Sequence, residues 1–250
     1  MITMTRKICL VALTTLLASA SVFAEPAPKQ MKLFLLIGQS NMAGRGKVEA
    51  QDQVVNPRIF MLTKDLQWVP AKDPVHFDKG SAGVGLCSQF ARDVLKADPN
   101  ATIGLIPCAV GGTSLDQWKT GGPLNSTAVT RTKEAMKQGQ LAGILWHQGE
   151  SDSGNPKNVA TYADRLAVMI AQLRTDLQAE KVPVVLGELI HEHKSNDSIN
   201  VELAVAAKKI PMCTLVSSEG LGKKQLHFDA ADLRSFGQRY AAEYLKLAKP

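Results

Sequence analysis

Short runs of consecutive apolar residues alternate along this chain with longer stretches whose apolar positions recur every three or four residues. The runs at 31–37, 102–107, 143–146, 182–186 and 214–217 are rich in Leu, Ile and Val and too short for helices. Unbroken apolarity, as opposed to strict alternation, is what a strand covered on both faces requires. The segments 84–97, 127–138, 159–177, 199–208 and 230–247 carry the helical period. Within 159–177, Leu166, Met169, Ile170 and Leu173 fall on one face and are expected in the core. Strands alternating with helices predict an α/β fold with about five parallel strands and helices on both faces of the sheet.

One stretch departs from this rhythm. Residues 46–83 hold one further strand candidate at 58–62, together with Trp68, three prolines and mixed charge. An irregular insertion directly after the first strand lies at the carboxyl edge of a parallel sheet. There it either walls a cleft or packs on the surface.

The start of the chain reads as a targeting segment. Arg6 and Lys7 precede an apolar run at 8–18, and small residues lead to Val22-Phe23-Ala24. That is the plan of a cleaved secretory signal over residues 1–24, followed by a Pro-containing leader over 25–30. The apolar run is shorter than the roughly 20 residues of a membrane-spanning helix. Residues 31–250 then form one expected domain, exported to the periplasm or secreted. Without Arg6 and Lys7, 27 basic residues stand against 23 acidic ones, and the formal charge falls from +6 to +4. The excess is scattered and not interleaved with aromatics, so no nucleic-acid partner is expected. Cys87, Cys108 and Cys213 form no C-x-x-C pair, which removes the usual zinc framework; their pairing stays open.

The end of the first apolar run carries the chemistry. Gly38-Gln39-Ser40-Asn41-Met42 places a serine at the carboxyl end of a strand, where open α/β sheets form ligand crevices. A serine there also serves as a plain turn cap, and its hydroxyl becomes a nucleophile only with a base beside it. His227, in Leu226-His227-Phe228 ahead of the last helix, is the candidate base. Trp146-His147-Gln148-Gly149-Glu150-Ser151-Asp152 follows the strand at 143–146. It offers Glu150 or Asp152 to orient an imidazole and the Gln148 amide as a hydrogen-bond donor. Gly111 and Gly112 allow backbone N–H groups to approach a developing oxyanion. Their loop lacks the Lys-Ser/Thr ending of a phosphate cradle. His191 and His193 flank Glu192 without a third ligand at metal spacing, so no metal is expected.

In order and position, Gly38-Gln39-Ser40-Asn41-Met42, Gly111-Gly112-Thr113, the block 146–152 and Leu226-His227-Phe228 resemble the SGNH hydrolase superfamily. More narrowly, they are similar to its sialate O-acetylesterase and acetylxylan esterase branch, carbohydrate esterase family six. The resemblance implies a flavodoxin-like three-layer α/β/α sandwich and hydrolysis of O-acetyl groups on carbohydrates without a cofactor. It implies Ser40 as nucleophile and His227 as general base. The oxyanion hole would combine the Ser40 N–H, the Gly112 N–H (Gly111 as alternative) and the Gln148 side chain. Many relatives carry an aspartate three residues before the histidine, and here that position is Lys224. Either another acid orients the imidazole or His227 works in a dyad; Glu150 is the expected acid, with Asp152 second. Asn41, Arg45 and Trp118 are the candidate substrate-binding residues of the cleft, with Trp118 equally open to a place in the core. Competing readings are an inactive glycan-binding protein on the same fold and an SGNH esterase for lipid or aryl esters.

Overall fold

The computed structural model describes residues 30–193, 195–223 and 226–249. The signal at 1–24, the leader up to residue 29 and Lys224 lie outside the described residues. Seven strands form one sheet: β1 (Met31–Gly38), β2 (Ile59–Leu62), β3 (Trp68–Pro70), β4 (Ile103–Pro107), β5 (Gly139–His147), β6 (Val184–Gly187) and β7 (Cys213–Val216). Their order is β3-β2-β4-β1-β5-β6-β7, parallel throughout except for β3, which runs antiparallel to β2 at the edge. The five expected strands are all present, and the count is corrected to seven by β2 and β3. Both additions come from the irregular stretch after β1. Strand β3 is three residues long and ends in Pro70, which an edge strand tolerates because no neighbour needs the missing N–H.

The helices are α1 (Ser40–Ala43), α2 (Cys87–Ala97), α3 (Pro123–Ala135), α4 (Glu150–Ser153), α5 (Pro156–Ala160), α6 (Tyr162–Asp176), α7 (Asn196–Lys209) and α8 (Ala230–Leu247). Successive side chains of β1 point to opposite faces, so its apolar run feeds two cores. Phe34 and Leu36 pack with α2 and α8. There the Phe34 ring meets Phe90 and Tyr244 edge-on at 4.9 and 5.0 Å. Leu33, Leu35 and Ile37 pack with α6 and α7, in the core that also holds Leu166, Met169, Ile170 and Leu173. The result is the α/β/α sandwich that the hydrophobic pattern requires. Among the described residues Cys87, Cys108 and Cys213 are unpaired thiols, packed against these cores. Among the described residues no helix is long and apolar enough to cross a membrane.

Strand β1 lies between β4 and β5. The chain leaves β1 toward the β4 side and returns after β4 to the opposite side. This reversal opens a crevice at the carboxyl ends of β1 and β5, the switch point where doubly wound sheets bind ligands.

Candidate active site

The switch point is made by close approach of two backbones. Gly38, the last residue of β1, pairs in register with His147, the last residue of β5. A side chain at Gly38 would collide with the His147 carbonyl, and φ there is +134°. The Gln39 N–H continues the ladder to that carbonyl at 2.9 Å, after which the chain turns into α1 and presents Ser40 at the sheet edge. His227 arrives from the other end of the sequence on the segment before α8. Its Nε2 lies 3.0 Å from Ser40 Oγ, within hydrogen-bond reach. The imidazole is half-buried. Burial, and then the Arg45 charge, lower its pKa, against an opposing pull from Glu150.

The two candidate acids have different surroundings. Among the described residues no carboxylate hydrogen-bonds to His227. Glu150 Oε1 instead accepts the Asn41 Nδ2–H at 2.6 Å, and His147 Nε2 stands 3.7 Å from the same oxygen. Burial works to raise the Glu150 carboxyl, but the His147 ring and the Asn41 amide outweigh it and hold the group below its ordinary value. Asn41 is 1% exposed, and its Oδ1 accepts the Phe228 N–H at 3.2 Å. Asn41 thus links the serine turn, Glu150 and the histidine segment, and this corrects its assignment to substrate binding. Glu150 reaches His227 only through this link and through its charge.

Asp152 is fully buried on the far side of the turn. Its Oδ2 accepts the Leu115 N–H and the Gln148 Nε2–H, both at 2.8 Å, and Arg165 lies 3.5 Å from Oδ1. It has no path to the imidazole.

Gln148 also departs from expectation. It is 0% exposed, and its Nε2 faces Asp152, the Thr113 carbonyl at 3.0 Å and Gln39 Oε1 at 3.1 Å. A buried amide spent on internal acceptors cannot line a cleft. Gly111 and Gly112, adjacent in sequence, are also unlike each other. The Gly111 N–H is taken by Asp78 Oδ2 at 2.8 Å, whereas the Gly112 N–H and the Ser40 N–H have no acceptor among the described residues.

The insertion after β1 supplies one wall. Asp78 pairs with Arg45 (Nη2 to Oδ2, 2.7 Å), and both side chains are nearly buried. Burial works to raise the Asp78 carboxyl, and the bonds from Arg45 and Gly111 hold it below its usual value. A side chain at Gly111 would displace the Arg45 guanidinium from its place beside Asp78. Ser40, His227, Gln39, Arg45, Gly112, Lys79 and Ser81 border a cleft of about 380 Å³. Trp118 does not reach it. The indole is 1% exposed, donates to Thr113 Oγ1 at 3.1 Å and packs edge-on against Trp146, so it is core and not a sugar platform. A larger groove of about 640 Å³ lies at the opposite edge of the sheet and holds neither Ser40 nor His227.

Comparison with known proteins gives the chain its family. A family model described as carbohydrate esterase, sialic acid-specific acetylesterase, matches residues 30–246. A probable carbohydrate esterase of Arabidopsis thaliana is 36% identical over 175 residues, covering 62% of this chain and 67% of the relative. The solved structure of an Arabidopsis thaliana protein superposes with a TM-score of 0.81 at 31% identity, over 88% of this chain and 98% of that one. The structure of NanS shares the fold, with a TM-score of 0.71 at 18% identity over 88% of this chain and 98% of that one. Since the family match runs the whole length of the sheet that brings Ser40 to His227, the chain belongs to the sialic acid-specific acetylesterase family of carbohydrate esterases.

Proposed function

We propose that this esterase is exported and removes O-acetyl groups from carbohydrates through an acetyl-enzyme intermediate. The observation that carries the reading is the 3.0 Å approach of Ser40 Oγ to His227 Nε2 at the switch point of the sheet. Ser40 Oγ attacks the acetyl carbonyl as Nε2 takes its proton. The Ser40 and Gly112 N–H groups face the oxygen that becomes negative. The intermediate collapses, and the sugar hydroxyl leaves with the proton from Nε2. Water, deprotonated by the same nitrogen, then releases acetate and restores Ser40. Export is supported by Arg6, Lys7, the apolar run at 8–18 and Val22-Phe23-Ala24.

Acetylated xylan and O-acetyl sialic acid are the two substrate types at issue. Lys79 at the cleft border favours the acidic sugar, since it can face a carboxylate, whereas Arg45 is already paired with Asp78. Acetate release from the two substrates at equal acetyl concentration tests this. We expect faster turnover of the O-acetyl sialic acid; an equal or higher rate on acetylated xylan would reverse the assignment.

His227 must be neutral to accept the serine proton, so activity is lost as pH falls through its pKa. Burial and Arg45 lower that pKa. The acid limb of kcat/KM is therefore expected below the ordinary histidine value of about 6.5. Arg45→Met removes a repelling cation and moves the limb to higher pH. Glu150→Gln removes an attracting anion and moves it to lower pH. Parallel shifts in the two variants would contradict this account of the His227 field.

A further inference from the structure

Two glycines in a row carry little direction of their own, so the Gly112 N–H has to be aimed from outside the pair. The loop is pinned on either side of them. The Val110 N–H donates to the Gly38 carbonyl at 3.0 Å, and the Thr113 hydroxyl donates back to the Val110 carbonyl at 2.8 Å. The Thr113 carbonyl in turn accepts the Gln148 amide at 3.0 Å. Between these pins the Gly111 N–H donates to Asp78 Oδ2 at 2.8 Å, an anchor supplied by the irregular stretch after β1. Arg45 fixes that carboxylate, with Nη1 and Nη2 reaching Oδ1 and Oδ2 at 3.3 and 2.7 Å and Nη1 also donating to the Gly44 carbonyl at 2.7 Å. The Asp78 side chain is 1% exposed, so it is closed to substrate. A side chain at Gly111 would displace the guanidinium. The glycine that makes room for it leaves the loop soft, and the carboxylate it holds stiffens the loop again.

We infer that Asp78 is a positioning residue of the oxyanion hole: by occupying the Gly111 N–H it holds the next peptide so that the Gly112 N–H stays free and directed at the cleft beside Ser40. The inference rests on the acetylesterase reading above and gives the stretch after β1 a part in catalysis besides walling the cleft. The Gly112 N–H has no acceptor among the described residues, and Gly112 borders the cleft. A donor already aimed has little freedom to lose when the acetyl oxygen turns into an oxyanion, so the constraint acts on kcat. An ion pair kept for stability alone would not need Asp78 to accept from Gly111.

The test is steady-state hydrolysis of 4-nitrophenyl acetate across pH by the wild type, Ser40→Ala, Asp78→Asn and Asp78→Leu, each checked by thermal melting. Asparagine and leucine remove the same charge from beside Arg45, but only asparagine keeps an acceptor for the Gly111 N–H. Asp78→Leu is expected to lower kcat on the pH plateau by about 10- to 100-fold with KM nearly unchanged. Asp78→Asn should recover most of that loss. Both variants leave the Arg45 cation uncompensated, so their acid limbs should move to lower pH by the same amount. Burial lowers the pKa of His76, the other titratable group beside Asp78, to about 4, so it stays neutral in this range. A Ser40-dependent rate with equal kcat in the two Asp78 variants would overturn the role of Asp78 and leave the esterase reading intact. A second measurement does not depend on either variant folding. Amide NMR spectra of the wild type are compared before and after Ser40 is phosphonylated by a 4-nitrophenyl alkylphosphonate. The Gly112 N–H is expected to shift downfield as it takes the phosphonyl oxygen, whereas the Gly111 N–H, already held, stays in place. A Gly111 signal that shifts as far as that of Gly112 would overturn the inference. A wild-type rate that Ser40→Ala does not lower would overturn both readings.

Discussion

Replacing Ser40 with alanine is expected to lower kcat on an aryl acetate by about 10⁴- to 10⁶-fold, the range seen when an acting nucleophile is removed. The melting temperature should change little, because the Ser40 hydroxyl makes a hydrogen bond only to His227 among the described residues. His227→Ala should cost a comparable factor, since neither group can act without the other. The Ser40→Ala/His227→Ala variant should be no worse than the single changes, whereas two independent contributions would multiply. Steady-state rates of the three variants, set against melts of the same samples, check this. A Ser40→Ala protein that keeps a tenth of the wild-type rate would remove the serine from the mechanism.

Asp152→Ala is expected to act on stability. Its carboxylate is fully buried and accepts the Leu115 N–H and the Gln148 amide at 2.8 Å each, with the Arg165 guanidinium nearby. Truncation leaves the buried Leu115 N–H without an acceptor, takes one of three acceptors from the Gln148 amide and removes the inner partner of Arg165, a loss of about 1–3 kcal/mol. At the roughly 2–4 °C per kcal/mol of a domain of this size, the melt should fall by several degrees. Glu150→Gln should leave the melt nearer to wild type and act on rate and on the acid limb. A thermal melt of both variants alongside their pH profiles separates the two carboxylates. If Asp152→Ala melts like the wild type, the buried network carries less than its geometry indicates.

The parts of this molecule that follow from local pattern were legible in the sequence. Strands β1, β4, β5 and β6 are apolar runs buried along most of their length, β7 is a partly buried edge strand, and α8 begins and ends at the expected residues. Ser40 and His227 were legible because strand ends and the loop before the last helix are identifiable without coordinates. Roles decided by direction were not. Gly111 and Gly112 differ only in which N–H Asp78 occupies, and Asp78 comes from a stretch without periodicity. Asn41 suits a cleft by residue type, and Trp118 suits a cleft or the core, yet both are consumed by internal hydrogen bonds. Strand β3 left no signal because three residues ending in proline are too few to show a period.

The two bonds of Asn41, to Glu150 and to Phe228, span 109 and 187 residues of sequence. Ser40, after the central strand, therefore meets a His227 carried on the segment that docks α8. During synthesis His227 emerges long after Ser40, and in the proposed mechanism a chain cut anywhere before His227 carries a serine with nothing to activate it. Hydrolysis thus reports on the docking of the last helix. Proteolytic or thermal release of that helix should silence the enzyme before the rest of the sheet gives way.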